Sequence, residues 1–457
     1  KIMNILSLTT LRELLRLSLP MVVSQGSFAV MIFTDRWFMS HLDAAHIAAT
    51  MGGGVAFAFC LSLFMGLITY ANALSAQYYG AGDLAKCPRV VTQGLLMAAA
   101  CIPVLLVIGH FGGRVFSSMG HDPAQVPLER IYFQILMTGS FFSLVKACLA
   151  SYFAGIGRTR VVMICDVLAV ALNIPLSWAL IFGKFGLPEL GIAGAALGTV
   201  IATIMGMCLF FAFYLSREHR LQFHVPQSWR FDAGIMRRYL RLGVPAGVEG
   251  FLNMATFNLY LLLFQSYGVE EGAAMAIVFN WDMLSFVPLI GLNISVMSLI
   301  GRFVGMRDMA RTNQVISSAF ILSLGYAGLL AVIFLVFRME LIDVFRTPGT
   351  EFEEIRQLAG SMMIGLCTYM LADATIMVTS GTLRGAGDTR WVMLTSVTLH
   401  WIMVVAQYYV IVVRELDPLV SWWVLVAMIQ CIALAYMWRL LGGRWRHPER
   451  LARVMQE

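Results

Sequence analysis

Apolar residues run in long unbroken stretches along this chain. Leu95–Gly109, Ile192–Leu215 and Ile316–Phe337 hold no charged side chain. At about 1.5 Å per residue, stretches of this length reach, or nearly reach, across a hydrocarbon layer roughly 30 Å thick. Apolar windows between polar loops predict twelve spans, near 14–39, 50–79, 91–110, 131–154, 161–182, 190–215, 238–266, 273–301, 314–337, 358–381, 391–413 and 419–441. The expected fold is an all-α integral membrane protein.

With twelve spans both termini lie on one side, and the basic residues say which. About 23 Lys and Arg fall on the side of the termini, among them Arg158, Arg160, the run from Arg217 to Arg241 and the run from Arg439 to Arg453. About 8 fall on the other side, and Lys146 lies within a span. Both termini are expected in the cytoplasm, and the location in a bacterial inner membrane. Lys1–Arg16 leads straight into the first span, so no cleavable leader is expected.

The pattern repeats. LSLPMVVSQ (17–25) answers LGVPAGVEG (242–250), setting Pro20 and Pro245 apart by 225 positions. LSAQYYGAGD (74–83) answers LIGRFVGMRD (299–308) at the same offset, and AGIGRTR (154–160) answers RGAGDTR (384–390) at 230. Two six-span lobes follow. Residues 1–215 form the first, 216–241 a cytoplasmic linker, 242–441 the second (its first helix starting near 238), and 442–457 a cytoplasmic tail. Six is even, so both lobes enter from the same side, related by an axis along the membrane normal. Such lobes enclose a central cleft that opens to either side by rocking. The basic linker, with Phe223, Trp229 and Phe231, reads as an amphipathic surface segment, with a regulatory site as the alternative.

Composition agrees with a membrane protein and removes other classes. Hydrophobic residues make up 59% of the 457 and charged ones 13%, whereas a soluble domain carries about 25% charged. The eight cysteines are scattered, with no CxxC and no His/Cys cluster, so neither a disulfide framework nor a zinc site is indicated. The formal charge of +6 follows topology, so no nucleic-acid partner is expected. HExxH, GxSxG and P-loop motifs are absent from the sequence, and no enzyme activity or cofactor is expected.

Acids inside spans are where chemistry is expected, because an ionisable group at mid-bilayer costs several kcal/mol. Glu249 follows Arg238 by eleven residues and Asp373 precedes Arg384 by eleven, placing each roughly 16 Å from the cytoplasmic edge. Tyr369 lies one turn before Asp373 on the same face. At one depth, Glu249, Asp373 and Tyr369 are expected to form a proton or sodium site, the plainer reading being a structural hydrogen-bonded pair. Asp35, fifteen residues beyond the kink expected at Pro20, is a second candidate, unless it only pairs with adjacent Arg36. Asn173, four residues before Ser177, can share a polar patch facing Asp35. Asp282 is a further buried acid in span eight. Lys146 and Asp166 read as a structural ion pair. The 29 Met and 30 Phe suit flat lipophilic cations if a share line the cleft.

The chain resembles, over essentially its full length, the multidrug and toxic compound extrusion (MATE) family. The resemblance rests on LSLPMVVSQ with TDRWFMSHL, on the duplicated QYYGAGD and RFVGMRD, and most closely on LNIPLSWALIFGKFGLPELGIAGAALGT (172–199) and ADATIMVTSGTLRGAGDTR (372–390), which look like the NorM-type branch. It implies a two-lobed antiporter exporting organic cations or drugs in exchange for H⁺ or Na⁺, with membrane lipids around a monomer. On that pattern Glu249, Asp373 and Tyr369 correspond to the second-lobe cation site, with Na⁺ as one occupant, and Asp35 and Asn173 to the first-lobe cluster beside Pro20; Pro245 is the second-lobe counterpart of that kink. Two departures stand out. Ser177 replaces a frequent Asn, and Asp282 sits in an unusual stretch, NWDMLSFVPL. The alternative function is a flippase for a lipid-linked precursor, which would want a strongly cationic cleft.

Overall fold

In hydrocarbon every backbone N–H and C=O must find its partner inside the protein, and a helix achieves this within itself. The computed structural model describes residues 7–346 and 352–457, among which there is no strand. The first half comprises α1 (Leu8–Ser40), α2 (Ala44–Thr69), α3 (Ala71–Gly80), α4 (Cys87–Gly112), α5 (Gln125–Thr138), α6 (Ser140–Gly155), α7 (Thr159–Phe182) and α8 (Ile192–Tyr214). A short α9 (Arg217–Phe223) lies in the linker. The second half comprises α10 (Ala233–Gln265), α11 (Val269–Gly305), α12 (Met309–Val336), α13 (Arg338–Asp343), α14 (Glu353–Gly385), α15 (Thr389–Tyr408), α16 (Pro418–Leu441) and α17 (Pro448–Met455).

Helix starts are marked by side-chain oxygens that satisfy orphan N–H groups. Asp43 accepts from His46 N at 2.9 Å, Asp232 from Gly234 N and Ile235 N at 3.1 Å, and Asp417 from Leu419 N at 2.8 Å. Eleven helical segments are long and apolar enough to cross a membrane, and α5 with α6, bent by 50°, supplies a twelfth as a broken span. The break is at Gly139, whose missing side chain admits Val200 of α8; a Cβ would come within 2.6 Å of it. By contrast α1 and α10 run uninterrupted through Pro20 and Pro245.

The duplication is visible in the backbone. Gly82 and Arg307, 225 apart, both turn with positive φ (82° and 59°), and Gly157 and Gly387, 230 apart, do so at 79° and 81°. That region suits glycine and costs other residues about 1–2 kcal/mol, so Arg307 retains a turn that its counterpart makes with glycine. Packing is reciprocal as well. A Cβ on Gly80 would lie 1.9 Å from the Arg302 carbonyl oxygen, and one on Gly305 would lie 2.2 Å from that of Gln77. Each pair is the other shifted by 225, so the pseudo-twofold axis passes between α3 and the end of α11.

Each lobe has its own buried core, one around Leu74, Leu144 and Tyr152, the other around Phe303, Leu366 and Trp422. The first turns of the leading helices cross over. Leu14 and Leu17 of α1 pack in the second lobe's core, while Ile235, Tyr239 and Leu242 of α10 pack in the first's. The linker is folded onto the first lobe rather than lying loose. Its His219 is buried, with Nε2 2.9 Å from the Tyr152 hydroxyl, and Gln93 donates to the Arg230 carbonyl at 3.0 Å. Burial, reinforced by Arg158, pushes His219 down to about 4. Leu221, Trp229 and Phe231 remain exposed.

Candidate functional site

In the second lobe, α11 and α14 pack closely and bring Asp282 against Tyr369 and Asp373. The Tyr369 hydroxyl lies against the Asp282 carboxylate, and the charge bearing on Asp373 is that of Asp282. Tyr369 is held from behind by Trp422, with ring centroids 6.2 Å apart. Trp422 is itself fixed by donating to the Met362 carbonyl at 2.9 Å, in space left by Gly365. Asp282 Oδ1 and the Tyr369 hydroxyl are buried with no well-formed hydrogen bond, and neither acid has an ion-pair partner among the described residues. Two carboxylates in a low-dielectric interior without a cation are costly unless a proton or a bound cation neutralises them.

Glu249 differs from these acids in having an ion-pair partner. Its Oε2 lies 2.9 Å from Arg384 Nη2, and the other polar groups it acts on are His400 and Tyr436. Of the three residues expected to hold a sodium ion, Asp373 and Tyr369 lie with Asp282, and Glu249 is ion-paired with Arg384. The reason is the direction of a side chain. On a helix, side chains lean toward the N-terminus, and α14 begins on the side away from the linker. Arg384 thus reaches back into the lobe instead of marking its edge, while the Arg384 carbonyl accepts from the Tyr70 hydroxyl at 2.9 Å.

The first lobe holds a second polar cluster. Asp35 of α1 is buried and accepts from the Thr199 hydroxyl of α8 at 3.3 Å. Ser177 of α7 faces the same carboxylate, which also bears on Tyr132 of α5. Asn173 is wholly buried one turn before Ser177, with both amide atoms unpaired. Asp35 Oδ1 is unpaired too. No ion pair joins Asp35 to Arg36. Nearer the linker side, Lys146 Nζ meets Asp166 Oδ1 at 2.9 Å, and Ser24 donates to the same carboxylate.

Sequence reasoning missed Thr199, Tyr132 and the inward role of Arg384. A signal for the last was present. In the repeated AGIGRTR and RGAGDTR, alanine stands at 154 where arginine stands at 384, and a charge present in only one copy of a repeat is serving something local.

A sequence model of the MatE family matches residues 20–179 and 245–409, one segment in each lobe. The chain belongs to the MatE family. This MatE protein is 28% identical to the probable multidrug resistance protein NorM of Rhizobium meliloti over 86% of its length and 85% of that protein's. It is 24% identical to the multidrug resistance protein MdtK of Yersinia pseudotuberculosis over 97% of both. Among solved structures its fold is similar to a MOP superfamily transporter from Pyrococcus furiosus, described as having a binding pocket of reverse polarity (TM-score 0.85, 19% identity, 98% of this chain and 97% of that one). It is equally similar to a multidrug resistance MATE transporter in an outward-facing conformation (TM-score 0.85, 18% identity, the same coverage). The fold is the two-lobed one, of a transporter class rather than an enzyme class.

Close approaches between the lobes of this MatE protein gather toward the linker side. Gly66 of α2 packs on Gly247 of α10, where a Cβ would lie 2.7 Å from the neighbour's Cα. Gln77 donates to the Gly385 carbonyl at 2.8 Å, Asn72 to that of Ile294 at 3.1 Å, and Ser298 to that of Ala154 at 2.7 Å. Glu13 meets Arg302 at 3.4 Å and Glu457 meets Lys86 at 2.6 Å. The linker-side entrance is closed.

Proposed function

We propose that this protein is a secondary active multidrug exporter, antiporting lipophilic organic cations against H⁺ or Na⁺ by alternating access, with the linker side cytoplasmic and the membrane a bacterial inner membrane. The observation that carries the reading is the pair Asp282 and Asp373, half-buried beside the buried Tyr369, with no ion-pair partner among the described residues. Substrate cation and coupling ion neutralise this site in turn. An uncompensated carboxylate resists closure in low dielectric, so the lobes rock only when one or the other is bound. Asp35, held by Thr199, is the corresponding acid of the first lobe, and Glu249, with Arg384 as its counter-ion, sets the charge behind the site. One charge crossing 100 mV is worth about 2.3 kcal/mol, and a pH unit adds about 1.4 kcal/mol. A single coupling ion then sustains a substrate gradient of roughly tenfold to a few hundredfold.

The flippase alternative wants unpaired cations in the cleft, and both Arg384 and Lys146 are joined to carboxylates. The deciding experiment is efflux of an ethidium-type dye from proteoliposomes under imposed pH or Na⁺ gradients. Asp282→Asn and Asp373→Asn are expected to abolish gradient-driven efflux. Pumping at the parental rate by both variants would overturn the assignment.

A further inference from the structure

At the end of the first lobe away from the linker, α5 carries a carboxylate that the transport scheme above does not use. Glu129 is fully buried (0% exposure). One oxygen accepts from Gln125 Nε2 at 2.7 Å, and the other lies 2.8 Å from His121 Nδ1. Space for the carboxylate is carved out of α2: a Cβ on Gly52 would lie 2.1 Å from Glu129 Oε1. Burying an acid costs several kcal/mol, yet two neighbours and a glycine are arranged to hold this one. His121 keeps 35% of its side chain exposed while its Nδ1 meets the carboxylate. Three residues on, and so on the same face of α5, comes Tyr132, which is buried against Gly53 and which feels the charge of Asp35. His121 is thus the exposed member of this group, and Glu129, Tyr132 and Asp35 are its buried ones.

We propose that His121 and Glu129 form a proton port from the outer solvent to Asp35. This rests on the proton-driven reading of the preceding section. The bookkeeping closes without any further reactant. His121 takes a proton from hydronium on Nε2 and passes the one on Nδ1 to Glu129, an N–H bond breaking as an O–H bond forms; this leaves the neutral Nε2–H tautomer, and proton exchange with solvent returns the ring to the Nδ1–H form for the next turn. Glu129 then hands its proton inward past Tyr132 to the Asp35 carboxylate and is again ionised. Imidazole suits the first step because its two ring nitrogens can take and give a proton on different edges. The groups that bear on the path are Gln125 on α5, Arg36 beside Asp35 on α1, Ser177 on α7 and Thr199 on α8.

The test separates proton delivery from mere structure. Glu129→Gln and His121→Gln are each reconstituted, and two rates are measured: dye efflux driven by outside acid, and dye-for-dye exchange at equal pH, which needs no net proton movement. A positioned proton-transfer group contributes about 100-fold or more to its own step, and that step is one of several. Acid-driven efflux is therefore expected to fall roughly tenfold or more, with exchange within about twofold of the parent. His121 is exposed, so its variant reports even if Glu129→Gln folds poorly. Acid-driven efflux at the parental rate in both variants overturns the port, as does exchange falling in parallel. If Asp35→Asn stops acid-driven efflux while Glu129→Gln does not, the port fails and the exporter reading stands. If the parent shows no acid-driven efflux, the port and the proton-driven form of the exporter reading both fail, and efflux driven by a Na⁺ gradient decides whether the exporter reading stands.

Discussion

At the scale of single residues, the second lobe contrasts two kinds of buried acid. Glu249 has its cation in Arg384, whereas Asp282 and Asp373 have none. Removing one partner of a buried ion pair leaves the other charge uncompensated, at a cost of about 3–5 kcal/mol. Glu249→Gln is thus expected to destabilise the protein by something on the order of 3 kcal/mol, less if Arg384 rehydrates through its 28% exposed side chain. Glu249→Gln combined with Arg384→Gln should recover a good part of it. Asp282→Asn should behave oppositely, leaving stability unchanged or higher because an unpaired carboxylate is removed, while transport is lost. Thermal unfolding in detergent, measured beside dye efflux, checks both; equal losses of stability in Glu249→Gln and Asp282→Asn would refute the distinction. The sequence made all these acids visible as charges in apolar runs. It showed their depth by counting along a helix but not the face or the direction of a neighbouring side chain. Counting alone therefore gives no sign that Arg384 turns back into the lobe to meet Glu249.

At the scale of elements, spans are legible because their length and apolarity follow directly from bilayer thickness. Breaks are not legible from proline alone. A proline in a membrane helix loses one hydrogen bond, which neighbours can compensate, and α1 and α10 continue through theirs. The interruption falls instead at Gly139, where the crowding comes from Val200, far away in sequence. The linker's sequence reads as an amphipathic surface segment. Its exposed Leu221, Trp229 and Phe231 fit that, but His219 is buried against Tyr152 and Phe223. This has a consequence for pH. With a folded value of about 4 against an ordinary 6.5, the unfolded chain binds the proton more readily between those limits. Stability is therefore complete above pH 6.5, declines as pH falls below it, and has lost the whole contribution below about 4. Replacing His219 with Asn should flatten that part of the stability profile relative to the parent. Parallel profiles for the two proteins, recorded by melting temperature between pH 7 and 4, would show that this histidine does not anchor the linker.

For the whole molecule, the question is what keeps the linker-side entrance shut. Two kinds of contact are present. Gly80 and Gly305 let α3 and α11 approach backbone to backbone across the pseudo-twofold axis, and ion pairs at Glu13–Arg302 and Glu457–Lys86 tie the edges. Their energies differ. The ion pairs are about a third exposed, so each contributes roughly 0–1 kcal/mol, whereas an alanine at either glycine has nowhere to put its methyl group without moving the opposite backbone. Alternating access requires that the whole set be weak enough to break once per cycle, with the two states separated by only a few kcal/mol. Small losses should then have visible effects. Removing about 1 kcal/mol changes a two-state ratio roughly fivefold, so Glu13→Gln with Glu457→Gln should enrich the linker-side-open state several-fold without unfolding either lobe. Gly80→Ala should do so more strongly, because it forces the axis apart. Spin-label distances between the linker-side ends of α3 and α11 read this directly. If they do not change in either variant, the closed entrance is held elsewhere, and the exchanged first turns of α1 and α10, with Leu14 and Leu17 in one core and Tyr239 and Leu242 in the other, become the contacts that must yield.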